Sequence, residues 1–558
     1  MIAPATGFAV ALLGRLIEQG VRDIVLCPGS RSQALALAAA GWEASGHVQL
    51  RVRIDERVAG FLAVGIAVET GRPVVVITTS GTAVANLHPA VLEAHHSGIA
   101  LILLTADRPQ ELRGIGSNQT TAQPGIFGGA VGWVRDVPPP TDPAAADSLA
   151  RDAYRAALAG PGPVQLNLAF REPLSGPAGQ LPAINLLPEK VEAVVAPRML
   201  GHHPHTVVIA GHGSGPAAEA LARHLGVPLL AEVSSGARFG PNLIVAYREL
   251  LDEPQFGGLV QRAIVFGHPT LSRQLPALLS RADVTVHVVR GDTAEAYNPG
   301  SRAETIDASV AAADQADDTV QGRAWLGSWV HASRRILAAG DQTAGTATTA
   351  DPIGSAVQEE LPGDFAREQL AVFRQPINRR LLVEAVWRST WPHDRLVFGA
   401  SRLIREADTF VSGKRISVHA NRGLSGIDGT IATGVGIALC SQAIEGKSAT
   451  GITRVLVGDL TALHDAGGML FGGGEVRPRI QLIVGNDGGG TIFDDLELAS
   501  TADAGHFDRV QYTPQSVDFR ALSAAYGWEY RVARNRGELD VSLAASQHPT
   551  LVEVPLSR

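Results

Sequence analysis

The 558-residue chain is poor in cysteine, methionine and aromatic residues: it has two cysteines, three methionines and an aromatic content of 5%. Two distant cysteines, Cys27 and Cys440, supply no disulfide framework and fit a reducing compartment. Cys27 lies in an apolar run and reads as a core residue rather than a nucleophile. The chain also lacks a basic excess. Its net charge is −8, which argues against nucleic acid as its main partner, so anionic ligands must be met by local arginine clusters. Apolar runs are short, and Ile99–Leu104 falls far below the length of a membrane span. The N-terminus has no basic stretch, and its apolar segment is broken by Arg15 and Glu18, so no signal peptide is expected. A soluble, cytoplasmic protein is the expectation. No short-period repeat or low-complexity tract suggests a solenoid.

What the chain does have is 45% hydrophobic and 18% charged residues, enough for several large cores and too little polarity for disorder. Strands and helices alternate. Strand-like runs at Val21–Leu26, Leu50–Ile54, Val74–Thr78, Ile99–Leu104 and Pro163–Ala169 are separated by helical patterns, such as Val58–Thr70 closed by Gly71. The pattern recurs at Val207–Gly211, Ala263–Gly267 and Val284–Val289. It recurs again at Leu396–Gly399, Ile416–Ala420, Val455–Val457, Ile480–Val484 and Thr550–Val554. This predicts an α/β protein of doubly wound parallel sheets, with domains at 1–180, 200–335 and 376–558 and linkers at 181–199 and 336–375. Gly211-His-Gly-Ser-Gly215 resembles a nucleotide-binding glycine loop, but no acidic ribose partner follows, and a packing or turn role is the expectation.

The chemistry concentrates in Val455–Phe493. One buried strand delivers Gly458-Asp459 to its C-terminal end, and a second delivers Asn486-Asp-Gly-Gly-Gly490, with room for one crossover between them. A hard carboxylate, an amide oxygen and free loop carbonyls are the ligands Mg²⁺ takes when it also holds substrate phosphates. The glycines would let backbone approach a diphosphate. Both segments also read as ordinary turns.

Gly-Asp followed about thirty residues later by Asn resembles the thiamin diphosphate (ThDP) motif. A more specific resemblance is carried by Cys27-Pro-Gly-Ser-Arg-Ser32, Asp55-Glu-Arg57, Thr79-Ser-Gly-Thr-Ala-Val-Ala-Asn86, Ala106-Asp-Arg-Pro109, Ser117-Asn-Gln-Thr120 and Asn421-Arg-Gly-Leu-Ser-Gly-Ile-Asp-Gly429. In order and spacing these segments resemble the 2-succinyl-5-enolpyruvyl-6-hydroxy-3-cyclohexene-1-carboxylate synthases. The middle of the chain matches only weakly, through Gly267–Arg273.

The resemblance implies three domains, the first binding the coenzyme's pyrimidine and the last its diphosphate, around a smaller central one. It implies decarboxylation of 2-oxoglutarate and 1,4-addition of the succinyl carbanion to isochorismate, a step of menaquinone biosynthesis. The cofactors implied are ThDP and Mg²⁺ (or Mn²⁺). Glu56 would activate the aminopyrimidine, Ile427 would bend the coenzyme, and Gly458 would lie against it. Asp459, Asn486 and the Gly488 carbonyl would bind the metal. Ser401, Arg405 and Arg422 match positions for the succinyl end. Ser30, Arg31, Arg108, Asn118 and Gln119 match positions for isochorismate, with Arg273 a further addition. Ser401 and Arg405 are expected on the loop after strand 396–399, and Ile492 and Phe493 would form a water-excluding apolar wall. Glu56 and Asp459 would come from different subunits of a homodimer or homotetramer.

Plainer readings compete. Glu56 sits where an acid also serves a helix dipole, and Ile427, Ile492 and Phe493 could be core. His95 and His96 read as helix-face residues, not as a catalytic histidine pair. Another ThDP-dependent 2-oxo acid carboligase or decarboxylase is the alternative enzyme, and a non-catalytic nucleotide-binding protein the alternative of another class.

Overall fold

The computed structural model describes residues 3–160, 162–177, 179–187, 196–291, 293–313, 320–343, 373–443 and 447–558. Three parallel sheets organise them. The first has order β2-β1-β3-β4-β6-β5, with β1 Asp23–Leu26, β2 Gln49–Val52, β3 Val74–Thr78, β4 Leu101–Asp107, β5 Trp133–Val137 and β6 Val164–Ala169. The central sheet has order β12-β11-β10-β8-β9, with β8 Thr206–Ala210, β9 Leu229–Ala231, β10 Arg262–Phe266, β11 Thr285–Val289 and β12 Ala303–Asp307. The last has order β15-β14-β16-β17-β19-β18, with β14 Arg395–Phe398, β15 Ser417–Ala420, β16 Thr453–Gly458, β17 Ile480–Asn486, β18 Glu529–Val532 and β19 Thr550–Pro555. Central strands such as Val-Val-Val-Ile-Thr of β3 are buried along their whole length, as β-branched runs covered on both faces must be.

One core joins the outer sheets. The helices Glu56–Thr70 and Thr430–Ser441 pack together between them, and their cluster includes Phe61, Leu62, Ile431, Val435, Val455 and Leu482. The approach needs glycine. A Cβ on Gly65 would lie 2.1 Å from the Thr433 carbonyl oxygen, and one on Gly436 would lie 2.4 Å from that of Leu62. The helix Glu56–Thr70 has sharp ends. Asp55 caps it by accepting the Arg57 and Val58 amides, and Gly71 closes it in the left-handed conformation.

Several expectations need correction. Four strands of these three sheets were not foreseen: β5, β9, β12 and β18. All four are edge strands; three are charged (Trp-Val-Arg-Asp-Val, Ala-Glu-Thr-Ile-Asp, Glu-Tyr-Arg-Val) and lack the apolar run that marks a buried strand, while the apolar and buried β9, Leu-Leu-Ala, is only three residues long. The expected linkers are partly ordered. Arg198–Leu200 (β7) pairs with Val310–Ala312 (β13), and the helix Val320–Thr343 runs on through residues 336–343. Segments 188–195 and 344–372 of the expected linkers lie outside the described residues. The glycine loop 211–215 is a packing feature: a Cβ on Gly211 would lie 2.1 Å from the Pro269 nitrogen. Among the described residues no helix is long and apolar enough to cross a membrane.

Candidate active site

Four adjacent strands of the last sheet end on one edge with polar residues. β14 leads to Ser401, β15 to Asn421-Arg422, β16 to Gly458-Asp459 and β17 to Asn486 and the glycine turn. This is the ligand edge of an open parallel sheet. Asp459 opens a short helix at the mouth of β16 and is 2% exposed. Its Oδ1 accepts the Leu460 amide at 2.8 Å, while its Oδ2 is buried with no hydrogen-bond partner. Burial pushes its pKa up to about 6, opposed by the Leu460 hydrogen bond and by the Gly488 amide, which faces the carboxylate.

The Gly488 amide also donates to Asn486 Oδ1 at 3.2 Å, so Asp459, Asn486 and Gly488 converge on one point. Gly488 sits at φ +76°, in the left-handed region. Its carbonyl accepts the Gln515 amide at 2.9 Å and keeps a second lone pair. A divalent cation fits this set, because it would supply the missing partner of Asp459 Oδ2 and takes carboxylate, amide and backbone oxygens together. Among the described residues no cluster of three or more His, Cys, Asp or Glu competes for that role.

The glycines of the turn have a reason the sequence does not reveal. A Cβ on Gly489 would lie 2.4 Å from the Tyr512 carbonyl oxygen, and one on Gly490 would lie 2.9 Å from that of Gln511. The chain itself, not a ligand, therefore demands glycine at these two positions. Tyr512 also donates to the Asp487 carbonyl at 2.7 Å, and Arg379 holds the Asp487 carboxylate at 2.8 Å. Gly458 is different. A Cβ there would meet only Ser401, at 3.9 Å, so the space in front of β16 stays open.

The first sheet presents a matching edge. Glu56 is half-buried at the first position of its helix, and Asn86 Nδ2 lies 3.5 Å from its Oε2. Arg57 beside it donates to the His464 carbonyl at 2.9 Å, docking this corner on the segment after Asp459. Within one chain, among the described residues, no hydrogen bond or ion pair joins Glu56 to Asp459 or Asn486. Arg108 is buried, and its Nη1 donates to Ser80 Oγ at 2.7 Å and to the Gln119 carbonyl at 2.6 Å. Gln119, at φ +55°, donates Nε2 to the Ser80 carbonyl at 2.8 Å. Arg31 is close enough to Arg108 that, after burial, its neighbour's charge lowers its pKa. Ser30 and Asn118 are exposed at the same loops. Cys27 is buried, and its thiol is pushed far up by burial, as befits a core residue.

The remaining arginines gather where the last and central sheets meet. Arg405 is exposed and feels the charges of Arg248 and Arg273, while Arg422 in turn feels that of Arg405. Arg273 is exposed at the start of the helix Gln274–Leu279. Arg405 is not on a loop. It lies in the helix Arg402–Phe410, whose N-cap is Ser401, accepting the Leu403 amide at 3.2 Å. The Ser401 hydroxyl proton stays available to a ligand. Ile427 is 36% exposed in the loop after β15 rather than in the core. Ile492 and Phe493 form a half-buried turn directly after the glycines. His95 and His96 lie in the helix His88–Ser97.

Sequence reasoning passed over Thr270, Glu93, Tyr530 and Glu553. Glu93 is buried in a helix of the first sheet and accepts the Gly423 and Leu424 amides at 2.7 and 2.9 Å, fixing the loop that carries Arg422 and Ile427. Glu553 had a signal, a lone charge within the apolar run Thr-Leu-Val-Glu-Val of β19.

The chain is 58% identical to the 2-succinyl-5-enolpyruvyl-6-hydroxy-3-cyclohexene-1-carboxylate synthase of Leifsonia xyli subsp. xyli (strain CTCB07), over 100% of this chain and 97% of that protein. It belongs to that family. The family member of Arthrobacter sp. (strain FB24) is 41% identical over 97% of this chain and 88% of its own, and that of Rhodococcus jostii (strain RHA1) 35% identical over 98% and 94%. Residues 7–126 also match the family described as thiamine pyrophosphate enzyme, N-terminal TPP binding domain. As a synthase of this family the chain is a ThDP-dependent transferase of menaquinone biosynthesis.

Proposed function

We propose that the chain decarboxylates 2-oxoglutarate and adds the resulting succinyl unit to isochorismate by 1,4-addition, releasing CO₂ and 2-succinyl-5-enolpyruvyl-6-hydroxy-3-cyclohexene-1-carboxylate in the cytoplasm. ThDP, when bound, supplies the carbanion-stabilising chemistry, and the protein supplies binding, orientation and field. The observation that carries the reading is the buried, unpartnered Asp459 oxygen beside Asn486 Oδ1, at the sheet edge of a chain that belongs to this family.

Asp459, Asn486 Oδ1 and the Gly488 carbonyl would hold Mg²⁺ or Mn²⁺, and Gly458 leaves room in front of β16 for the diphosphate. Glu56 binds the pyrimidine ring nitrogen N1′ and holds a proton there. Ile427 offers an exposed apolar side chain that would pack against the coenzyme. Arg405, Arg422 and Ser401 take the carboxylates of 2-oxoglutarate, since arginine grips a carboxylate through two N–H groups. Ser30, Arg31, Arg108, Asn118 and Gln119 take isochorismate, and Arg273 adds positive charge between the two. Ile492 and Phe493 exclude water.

Residues 1–180 form the pyrimidine-binding domain, 200–335 the central domain and 376–558 the diphosphate-binding domain. In this reading Glu56 and Asp459 of each site come from different copies of the chain, as the resemblance to the family implies, and a homodimer is the smallest active unit. Purified protein with ThDP, Mg²⁺ and 2-oxoglutarate should consume isochorismate absorbance and release CO₂ in equal amounts. Persistence of that absorbance with every component present would overturn the proposal.

A further inference from the structure

We infer that Glu553 is a positioning residue that turns the oxygen of the Asn486 amide, rather than its nitrogen, toward the cation site, and that Tyr530 holds Glu553 in place. The inference rests on the reading above, in which Asn486 is a metal ligand. The three residues lie on three adjacent strands, in the order β17, β19, β18. Asn486 ends β17, and Val484, two residues before it, pairs with Glu553 of β19, which pairs in turn with Val532 of β18. Asn486 Nδ2 donates to Glu553 Oε1 at 2.7 Å, and the Tyr530 hydroxyl donates to Glu553 Oε2 at 2.6 Å.

A side-chain amide has a donor end and an acceptor end of nearly equal shape, and only its surroundings decide which faces a ligand. A carboxylate accepts and does not donate, so it selects the nitrogen and commits the oxygen to the opposite side. There Oδ1 meets the Gly488 amide, the group that also faces Asp459. Were the amide reversed, its NH₂ would point at a dication. Tyr530 keeps its proton for the job: burial, then its bond to Glu553, pushes its pKa up to about 12. Partners of this kind behind a metal ligand are commonly worth ~10–100-fold in metal affinity.

The test is the affinity of the ThDP-loaded protein for Mn²⁺, read by electron paramagnetic resonance of the free ion. Glu553→Met, which keeps length and removes the acceptor, should weaken Mn²⁺ binding by ~10-fold or more. Glu553→Gln keeps an oxygen for Asn486 Nδ2 and should stay within about threefold of wild type. Tyr530→Phe should fall between them, and saturating Mn²⁺ should restore kcat in all three, which a merely misfolded edge strand would not allow. Wild-type Mn²⁺ affinity in folded Glu553→Met, or loss in Glu553→Gln as large as in Glu553→Met, overturns the inference. If Glu553→Met misfolds, Tyr530→Phe decides, and wild-type affinity in it overturns the inference as well. Asn486→Ala separates the two claims. If it binds Mn²⁺ normally, the metal-ligand reading fails; if it alone weakens binding, only the role of Glu553 fails.

Discussion

Arg422 clasps Thr270: its Nε and Nη2 donate to Thr270 Oγ1 at 2.8 and 2.6 Å, and Nη2 reaches the Thr270 carbonyl at 3.2 Å. Thr270 follows β10 of the central sheet, and buried Glu232 holds it by accepting the Thr270 and Leu271 amides at 2.8 and 2.6 Å. A loop of the central sheet thus sets the pose of an arginine rooted in the last sheet. Thr270→Val loses the hydroxyl contact, worth about 1 kcal/mol, and should raise KM for 2-oxoglutarate about fivefold with kcat nearly unchanged. Arg422→Ala should cost about 2–4 kcal/mol in kcat/KM. Steady-state kinetics at saturating isochorismate distinguish these outcomes.

Burial pushes the Asp459 carboxyl up to about 6. A carboxyl raised in the folded state contributes stability that is present below its unfolded pKa and lost as pH rises through the folded one. From 3.8 to about 6 the loss for the metal-free protein is about 3 kcal/mol. Cation binding needs the carboxylate, so the stabilisation by ThDP with Mg²⁺ should run the other way and grow from pH 5 to pH 7.5. Melting curves with and without the pair, across that range, should show the gap widening. A gap independent of pH would separate Asp459 from the metal.

The contact between the helices Glu56–Thr70 and Thr430–Ser441 tolerates no added methyl. Gly65→Ala and Gly436→Ala each place a Cβ within 2.1 to 2.4 Å of a facing backbone oxygen. Each should lower stability by roughly 1–3 kcal/mol, read as a lower melting temperature. Because Glu56 begins the first of these helices, kcat should fall with it.

Much of this was legible in the sequence, for identifiable reasons. The buried strands announced themselves because both faces need apolar residues, and β3 falls on the residues expected of it. The apolar runs before Asp459 and Asn486 placed both residues at strand ends, and there they lie, at the ends of β16 and β17. The edge strands β5, β12 and β18 hid because they carry Arg, Asp and Glu among their few apolar residues. Thr270 and Glu93 hid because their partners, Arg422 and Gly423, lie 152 and 330 residues away, a pairing that no local pattern encodes. The glycines at 489 and 490 were recognised while their cause was not, since the segment that crowds them, Gln511–Tyr512, is distant in sequence.

The proposed two-chain site has a consequence for mixtures. Glu56→Gln and Asp459→Ala proteins should each be inactive, yet co-refolded together they should recover on the order of one quarter of wild-type activity. Half of the two-fold dimers then carry one intact site and one doubly altered site. No recovery in hybrids verified by mass spectrometry would place both residues in a site within one chain.

The most direct measurement is the rate at which the C2 proton of bound ThDP exchanges with deuterium, in wild type and in Glu56→Gln, both loaded with Mg²⁺. The role assigned to Glu56 predicts coenzyme affinity within about threefold and exchange slower by ~10²-fold or more in the variant. Exchange as fast in Glu56→Gln as in wild type would contradict it.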